Sequence, residues 1–156
     1  MQNIFWPKGI DPEDFRVHSY NSIFIKASRQ KIWEVLTDAS AWPNWYPNSK
    51  EVKIKNDSVL KILTEFVWKT FGLKVRSQVI EYKEFESIGW SARELGGVGY
   101  HGWRFIEQEG GTLVVTEEVQ RGWGVSLLAP LIKRGLLKQH QIWLERLKGK
   151  CELEFG

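Results

Sequence analysis

The stretch GYHGWRFIEQEGGTLVVTEEVQR, Gly99 to Arg121, decides how this chain folds. Two runs rich in β-favouring residues, Gly99–Gln108 and Thr112–Arg121, flank the pair Gly110-Gly111, which suits a two-residue hairpin loop. Closing the hairpin on those glycines sets Phe105 opposite Thr116, Trp103 opposite Glu118 and His101 opposite Gln120. On the other face Arg104 meets Glu117 and Ile106 meets Val115. Opposite charges across strands attract, so that face fits solvent. The interior set is then His101, Trp103, Phe105, Val114, Thr116, Glu118 and Gln120. Leu113, Val115 and Val119 argue for the opposite parity, and a slip of one residue inverts every assignment.

Upstream of the hairpin, Glu51–Lys55, Lys61–Lys69, Leu73–Lys83 and Ser87–Glu94 read as strands, separated by glycine, Asn-Asp or short charged breaks. Tyr20–Lys26 reads as a first strand. Ser28 offers an N-cap to a helix whose apolar face is Ile32, Trp33, Val35 and Leu36, running to Thr37. Asp38 caps a second short turn that must break near Trp42, because Pro43 follows. Downstream, Ser126–Lys150 returns to helical spacing, with Ile132, Leu136, His140, Trp143 and Leu147 on one face and Pro130 near the first turn.

The order is strand, two short helices, six strands, long helix. Residues 1–18 form an irregular N-terminal extension, and residues 1–156 read as a single α+β domain. An antiparallel sheet of this length has a face to cover, and the terminal helix is the only large element available. A curved sheet closing on that helix leaves a concave interior, the usual place for an apolar ligand.

Composition narrows the function. The 156 residues include nine Trp, eight Phe and four Tyr, a surplus that needs a large core, a lined cavity or an exposed sticky face. Net charge is only +3 and the basic residues concentrate in Lys133–Lys150, which does not suggest nucleic-acid binding. There is no apolar leader and no run of about 20 apolar residues. One cysteine, Cys151, rules out an internal disulfide. A cytoplasmic protein is expected. Three scattered His give no metal-ligand spacing, so neither metal nor other cofactor is expected. No phosphate-binding glycine loop and no Gly-x-Ser-x-Gly elbow occur.

Several short stretches, in their order, resemble the START/polyketide-cyclase (SRPBCC) superfamily, and most closely its polyketide cyclase/dehydrase-like branch. They are Ile25-Lys-Ala-Ser28, Ile32-Trp-Glu-Val-Leu-Thr-Asp38, Trp42-Pro-Asn-Trp-Tyr-Pro47, Gly99-Tyr-His-Gly-Trp-Arg-Phe105, Gly110-Gly-Thr112 with Glu118, and Leu127-Leu-Ala-Pro-Leu-Ile132. The resemblance spans about Ser19 to Lys150. It implies a helix-grip fold, a seven-stranded antiparallel sheet wrapped around the C-terminal helix over an internal pocket. It also favours the interior parity chosen above. The superfamily holds lipid and steroid carriers, cyclases and aromatases, so the fold alone does not fix a function.

Alternation places Phe66, Trp68, Ile88, Trp90 and Ala92 on the inner face, with Leu136, His140, Trp143 and Leu147 closing over them. The candidate ligand pocket is therefore Phe66, Trp68, Trp90, Ala92, Trp103, Phe105, Thr116, Gln120, Leu136, His140 and Trp143. Trp42 and Trp45 are expected to pack the helix-to-strand corner, and His18 has no assigned role. His101 and Glu118 are candidate catalytic residues, expected as diagonal neighbours about 7–8 Å apart at the backbone. Burial would raise the Glu118 pKa and let His101 share its proton, the requirement for general acid–base chemistry. The same pair read plainly is a buried polar couple that orients a ligand hydroxyl. Three functions follow. The first is a binding module for a small hydrophobic or aromatic molecule, lipid- or polyketide-like. The second is a cyclase or dehydratase using His101 and Glu118. The third is an interaction module touching a protein or a membrane surface through Lys133–Lys150. Ligand identity and oligomeric state are not legible in the sequence.

Overall fold

The computed structural model describes residues 1–152. Seven strands form one antiparallel sheet in the order β1-β7-β6-β5-β4-β3-β2. They are β1 Val17–Ile25, β2 Lys50–Ile54, β3 Glu65–Thr70, β4 Leu73–Lys83, β5 Ser87–Glu94, β6 Gly97–Gln108 and β7 Gly111–Arg121. Two short helices, α1 Arg29–Thr37 and α2 Trp42–Trp45, connect β1 to β2, and α3, Trp123–Glu152, packs on the concave face. This is the expected α+β helix-grip fold.

Local chemistry accounts for the helix boundaries. The Ser28 hydroxyl accepts from the Lys31 amide at 3.2 Å and starts α1, which buries Ile32, Trp33 and Leu36. Pro43 lies in the first turn of α2, where its missing N–H is tolerated. In α3, Leu128 leaves helical geometry (φ −121°, ψ 19°) two residues before Pro130. Pro130 thus opens the long inner segment of the helix, as its position in the sequence suggested, but helical structure already begins at Trp123.

The β6–β7 hairpin differs from the expected register by two residues. His101 lies opposite Glu118, Trp103 opposite Thr116 and Phe105 opposite Val114, and the loop is Glu109-Gly110 rather than Gly110-Gly111. Gly110 has φ +79° and makes the turn, whereas Gly111 belongs to β7 because a Cβ there would collide with the Ile25 carbonyl of β1. A two-residue offset preserves parity, so the expected interior set still faces inward. Arg104 faces Val115 and not Glu117, and it donates to the Asn3 carbonyl at 2.9 Å.

The other face is not open to solvent. The N-terminal segment straps across it, with Ile4, Tyr100, Val115 and Val119 forming a second buried cluster, flanked by Trp6, Ile10 and Phe15. Glu117 is fully buried there and accepts from the Ile4 amide at 2.8 Å, with His18 Nε2 also 2.8 Å away. This strap explains why Leu113, Val115 and Val119 were apolar on the face opposite to the cavity. It also brings β1 in at Val17, three residues before the expected start.

Candidate functional site

The main core lies between the sheet and α3, and it is aromatic. Trp42, expected at a corner, sits at its centre, with ring centroids 5.0 Å from Trp143, 5.4 Å from Trp68 and 5.5 Å from Trp90. Tyr46 stacks on Trp143 at 4.4 Å. Edge-on and offset contacts of this kind add to the energy of burial. They also give the wall of the cavity beside them a rigid shape.

That cavity has a volume of about 360 Å³ and opens between the β3–β4 turn (Phe71, Leu73) and one face of α3 (Leu131, Ile132, Gly135). Of the expected pocket residues, Trp68, Trp90, Ala92, Gln120, Leu136, His140 and Trp143 line it, together with His101 and Glu118. Phe66, Trp103 and Phe105 lie in the packed core beside it, and Thr116 lies behind His101. Tyr46, Val75 and Glu94 also line the cavity and were not anticipated. Tyr46 follows Trp42 at helical spacing on the same face, which is the only sequence cue for it.

At its inner end the cavity meets four polar side chains from three elements. Glu118 Oε2 on β7 lies 3.3 Å from His101 Nδ1 on β6 and 3.0 Å from His140 Nε2 on α3. Gln120 donates to Glu118 Oε1. The two imidazoles stack, with centroids 4.5 Å apart. Outside this cluster, Thr116 Oγ1 is 2.7 Å from His101 Nε2 and donates to the Gly102 carbonyl at 3.1 Å. Its hydroxyl can therefore only accept from the imidazole, which places a hydrogen on His101 Nε2. Ser19 Oγ on β1 is 3.3 Å from His140 Nδ1. Sequence reading missed Ser19, because it set the first strand to begin at Tyr20.

His101 and Glu118 are direct cross-strand partners, not diagonal ones. Burial pushes the His101 pKa down, helped by the neighbouring His140 and opposed by Glu118. Burial alone would raise the Glu118 pKa, as expected from sequence. The two imidazoles and Gln120 outweigh it and hold the carboxyl below its ordinary range. Glu94, nearer the mouth, is pushed up by burial and by the charge on Glu118. Trp90, Trp103 and Trp143 each have a buried indole N–H with no hydrogen-bond partner among the described residues.

Residues 16–152 match the family described as polyketide cyclase / dehydrase and lipid transport. The chain belongs to that family. Several solved structures share this fold. A hypothetical protein from Helicobacter pylori is 26% identical, with 97% of this chain and 98% of that one covered and a TM-score of 0.86. A START superfamily protein from Mycobacterium smegmatis is 16% identical, covering 87% of this chain and 97% of that one, with a TM-score of 0.73. The Zhui aromatase/cyclase from Streptomyces is also 16% identical, covering 89% and 95%, with a TM-score of 0.72. At such identity the last two show the shared fold alone. A search of curated proteins found no match.

No helix among the described residues is long and apolar enough to cross a membrane. On the outer side of α3, Lys133, Arg134 and Lys138 are exposed, whereas Lys148 is engaged with the Phe24 carbonyl at 3.0 Å. Leu127 and Leu131 are exposed in the N-terminal half of α3, and Leu131 lines the cavity mouth.

Proposed function

We propose that the chain binds a small, largely apolar molecule carrying one oxygen-bearing polar end. The apolar body would lie against Trp68, Val75, Trp90, Leu136 and Trp143, and the polar end would reach His101, Glu118 and His140. The observation that carries this reading is the cavity itself. Its 360 Å³ falls within the roughly 300–1,000 Å³ of small-molecule sites, and it pairs aromatic walls with a single polar cluster. Several indoles border it, so occupancy should change tryptophan fluorescence. The test is a titration with fatty acids, sterols and polyketide-like aromatics, followed by fluorescence and melting temperature. A panel that moves neither readout overturns the proposal.

A second reading, acid–base chemistry on a ketone, is favoured by one contact: a carboxylate oxygen bridging two imidazoles. In that role Glu118 takes a proton from carbon next to the carbonyl, and an imidazole returns one to oxygen. Turnover of a poly-β-keto substrate that is lost in Glu118→Gln and His101→Ala supports it. Turnover unaffected in both removes those residues from any mechanism.

A further inference from the structure

Three ligand-type atoms converge at the inner end of the cavity: His101 Nδ1, Glu118 Oε2 and His140 Nε2, all within 4.8 Å of one another. A divalent transition metal at about 2.0–2.2 Å from each of two imidazole nitrogens and a carboxylate oxygen sets neighbouring ligand atoms about 3.0–3.5 Å apart. The carboxylate oxygen already lies 3.3 and 3.0 Å from the two nitrogens. The two nitrogens lie within 4.8 Å of each other, and rotation of the imidazoles to bring them closer would complete the arrangement.

The hydrogen-bond pattern around the cluster points the same way. Thr116 fixes the hydrogen of His101 on Nε2, which leaves Nδ1 with a lone pair aimed at Glu118 Oε2. Two lone pairs at this separation, both buried, repel unless a proton or a metal cation lies between them. Every other heteroatom of the three residues is already held from outside: His101 Nε2 by Thr116, His140 Nδ1 by Ser19 and Glu118 Oε1 by Gln120. Outer hydrogen bonds of this type orient the ligands of metal centres. His101, Glu118 and His140 also face the cavity, so three protein ligands would leave a coordination position open toward it.

We propose that His101, Glu118 and His140 form a binding site for one divalent transition-metal ion, with its open position directed into the cavity. Two neutral imidazoles and one carboxylate favour a zinc-, cobalt- or iron-type ion over magnesium or calcium, which prefer all-oxygen shells. The site would leave one net positive charge at the end of an apolar chamber, suited to an anionic or carbonyl oxygen. Metal binding here does not depend on which organic molecule fills the cavity.

The sequence could not show this site, since its ligands come from two strands and a helix with no regular spacing. The chain has three histidines in total, and the third, His18, is paired with Glu117 on the opposite face of the sheet. It therefore serves as an internal control. The test starts from chelator-treated, folded full-length protein with no organic ligand present. Zn²⁺ or Co²⁺ is added in equilibrium dialysis, with metal content measured by mass spectrometry and Co²⁺ uptake followed by tryptophan quenching, because the Trp90 and Trp103 rings lie 5.2 and 5.3 Å from His101. Expected are one ion per chain, competition between the two metals, and retention in His18→Ala. Glu118→Gln should weaken binding at least tenfold, and Thr116→Val, a positioning change, should weaken it about 10- to 100-fold. Melting of each metal-free variant checks that it folds. If His140→Ala does not fold, the near-isosteric Glu118→Gln and Thr116→Val carry the test. No uptake at micromolar metal overturns the site, as does uptake unchanged in Glu118→Gln. Ligand titrations repeated on the metal-free protein separate failure of this site from failure of the cavity as a binding chamber.

Discussion

Gly135 offers the cleanest test of the cavity. It sits on α3 at the mouth, and a Cβ built there would meet only Phe71 Cε1, at an ordinary 3.6 Å. Glycine inside a helix costs about 0.8–1.0 kcal/mol relative to alanine. Gly135→Ala should therefore stabilise the protein and raise its melting temperature by about 2–4 °C for a chain of this size. Gly135→Phe asks a different question. A cavity of about 150 Å³ is enough to hold a benzene ring, so the new ring takes roughly four-tenths of the 360 Å³ available. If it displaces about 100 Å² of apolar contact with a ligand, the loss at about 25 cal/mol per Å² is about 2.5 kcal/mol. That corresponds to roughly a 70-fold rise in Kd. Fluorescence titration with any hydrophobic probe that binds the wild type measures the change, and thermal melting checks that the variant folds. A folded Gly135→Phe protein that binds the probe with unchanged Kd would refute the assignment of ligand to this cavity.

Other expectations follow from the same structure. Glu94→Gln should stabilise at neutral pH and do little at pH 4 or below. The folded carboxyl has a raised pKa, so its contribution is intact below its unfolded value of 4.5 and is lost as pH rises through the folded one. An equal effect at both pH values, by melting, would contradict this. Glu117→Ala leaves the buried Ile4 amide without its acceptor, a loss of about 1–3 kcal/mol in denaturant unfolding. It should also raise hydrogen exchange in the N-terminal strap. Ser28→Ala removes the cap of α1 and should cost about 1 kcal/mol. Gly111→Ala drives a Cβ into the Ile25 carbonyl and should disrupt β1–β7 pairing, seen as lost amide protection along both strands.

Much of the fold was legible because period and punctuation agree. Leu73–Lys83 and Ser87–Glu94 are β-favouring runs bounded by turns and match β4 and β5 to the residue. The helical stripe of Leu136, His140, Trp143 and Leu147 is the buried face of α3. What escaped the sequence depended on distant chain. Gly110 and Gly111 look alike in sequence, and only the Ile25 carbonyl distinguishes the turn residue from the strand residue. The apolar outer residues of β7 looked like a parity conflict because the strap that covers them lies about a hundred residues earlier in the chain. His140 read as an isolated helix residue, since nothing in its neighbourhood announces Ser19 or Glu118. Phe66, Trp103 and Phe105 point inward as alternation requires, but inward includes both packed core and cavity wall, and alternation does not distinguish them.

The strand order has a consequence for how the protein is made. β1 and β2 are consecutive in sequence yet lie at opposite edges of the sheet, and β1 finds its partner only when β7 arrives. The polar cluster draws on β1, β6, β7 and finally α3, which supplies His140. A nascent chain still lacking its last helix can complete the sheet but has no finished site. Such distant pairing slows folding. It also makes any guest of the chamber a reporter of completion: only the finished chain can hold it, and holding it shifts the balance toward the finished state by mass action.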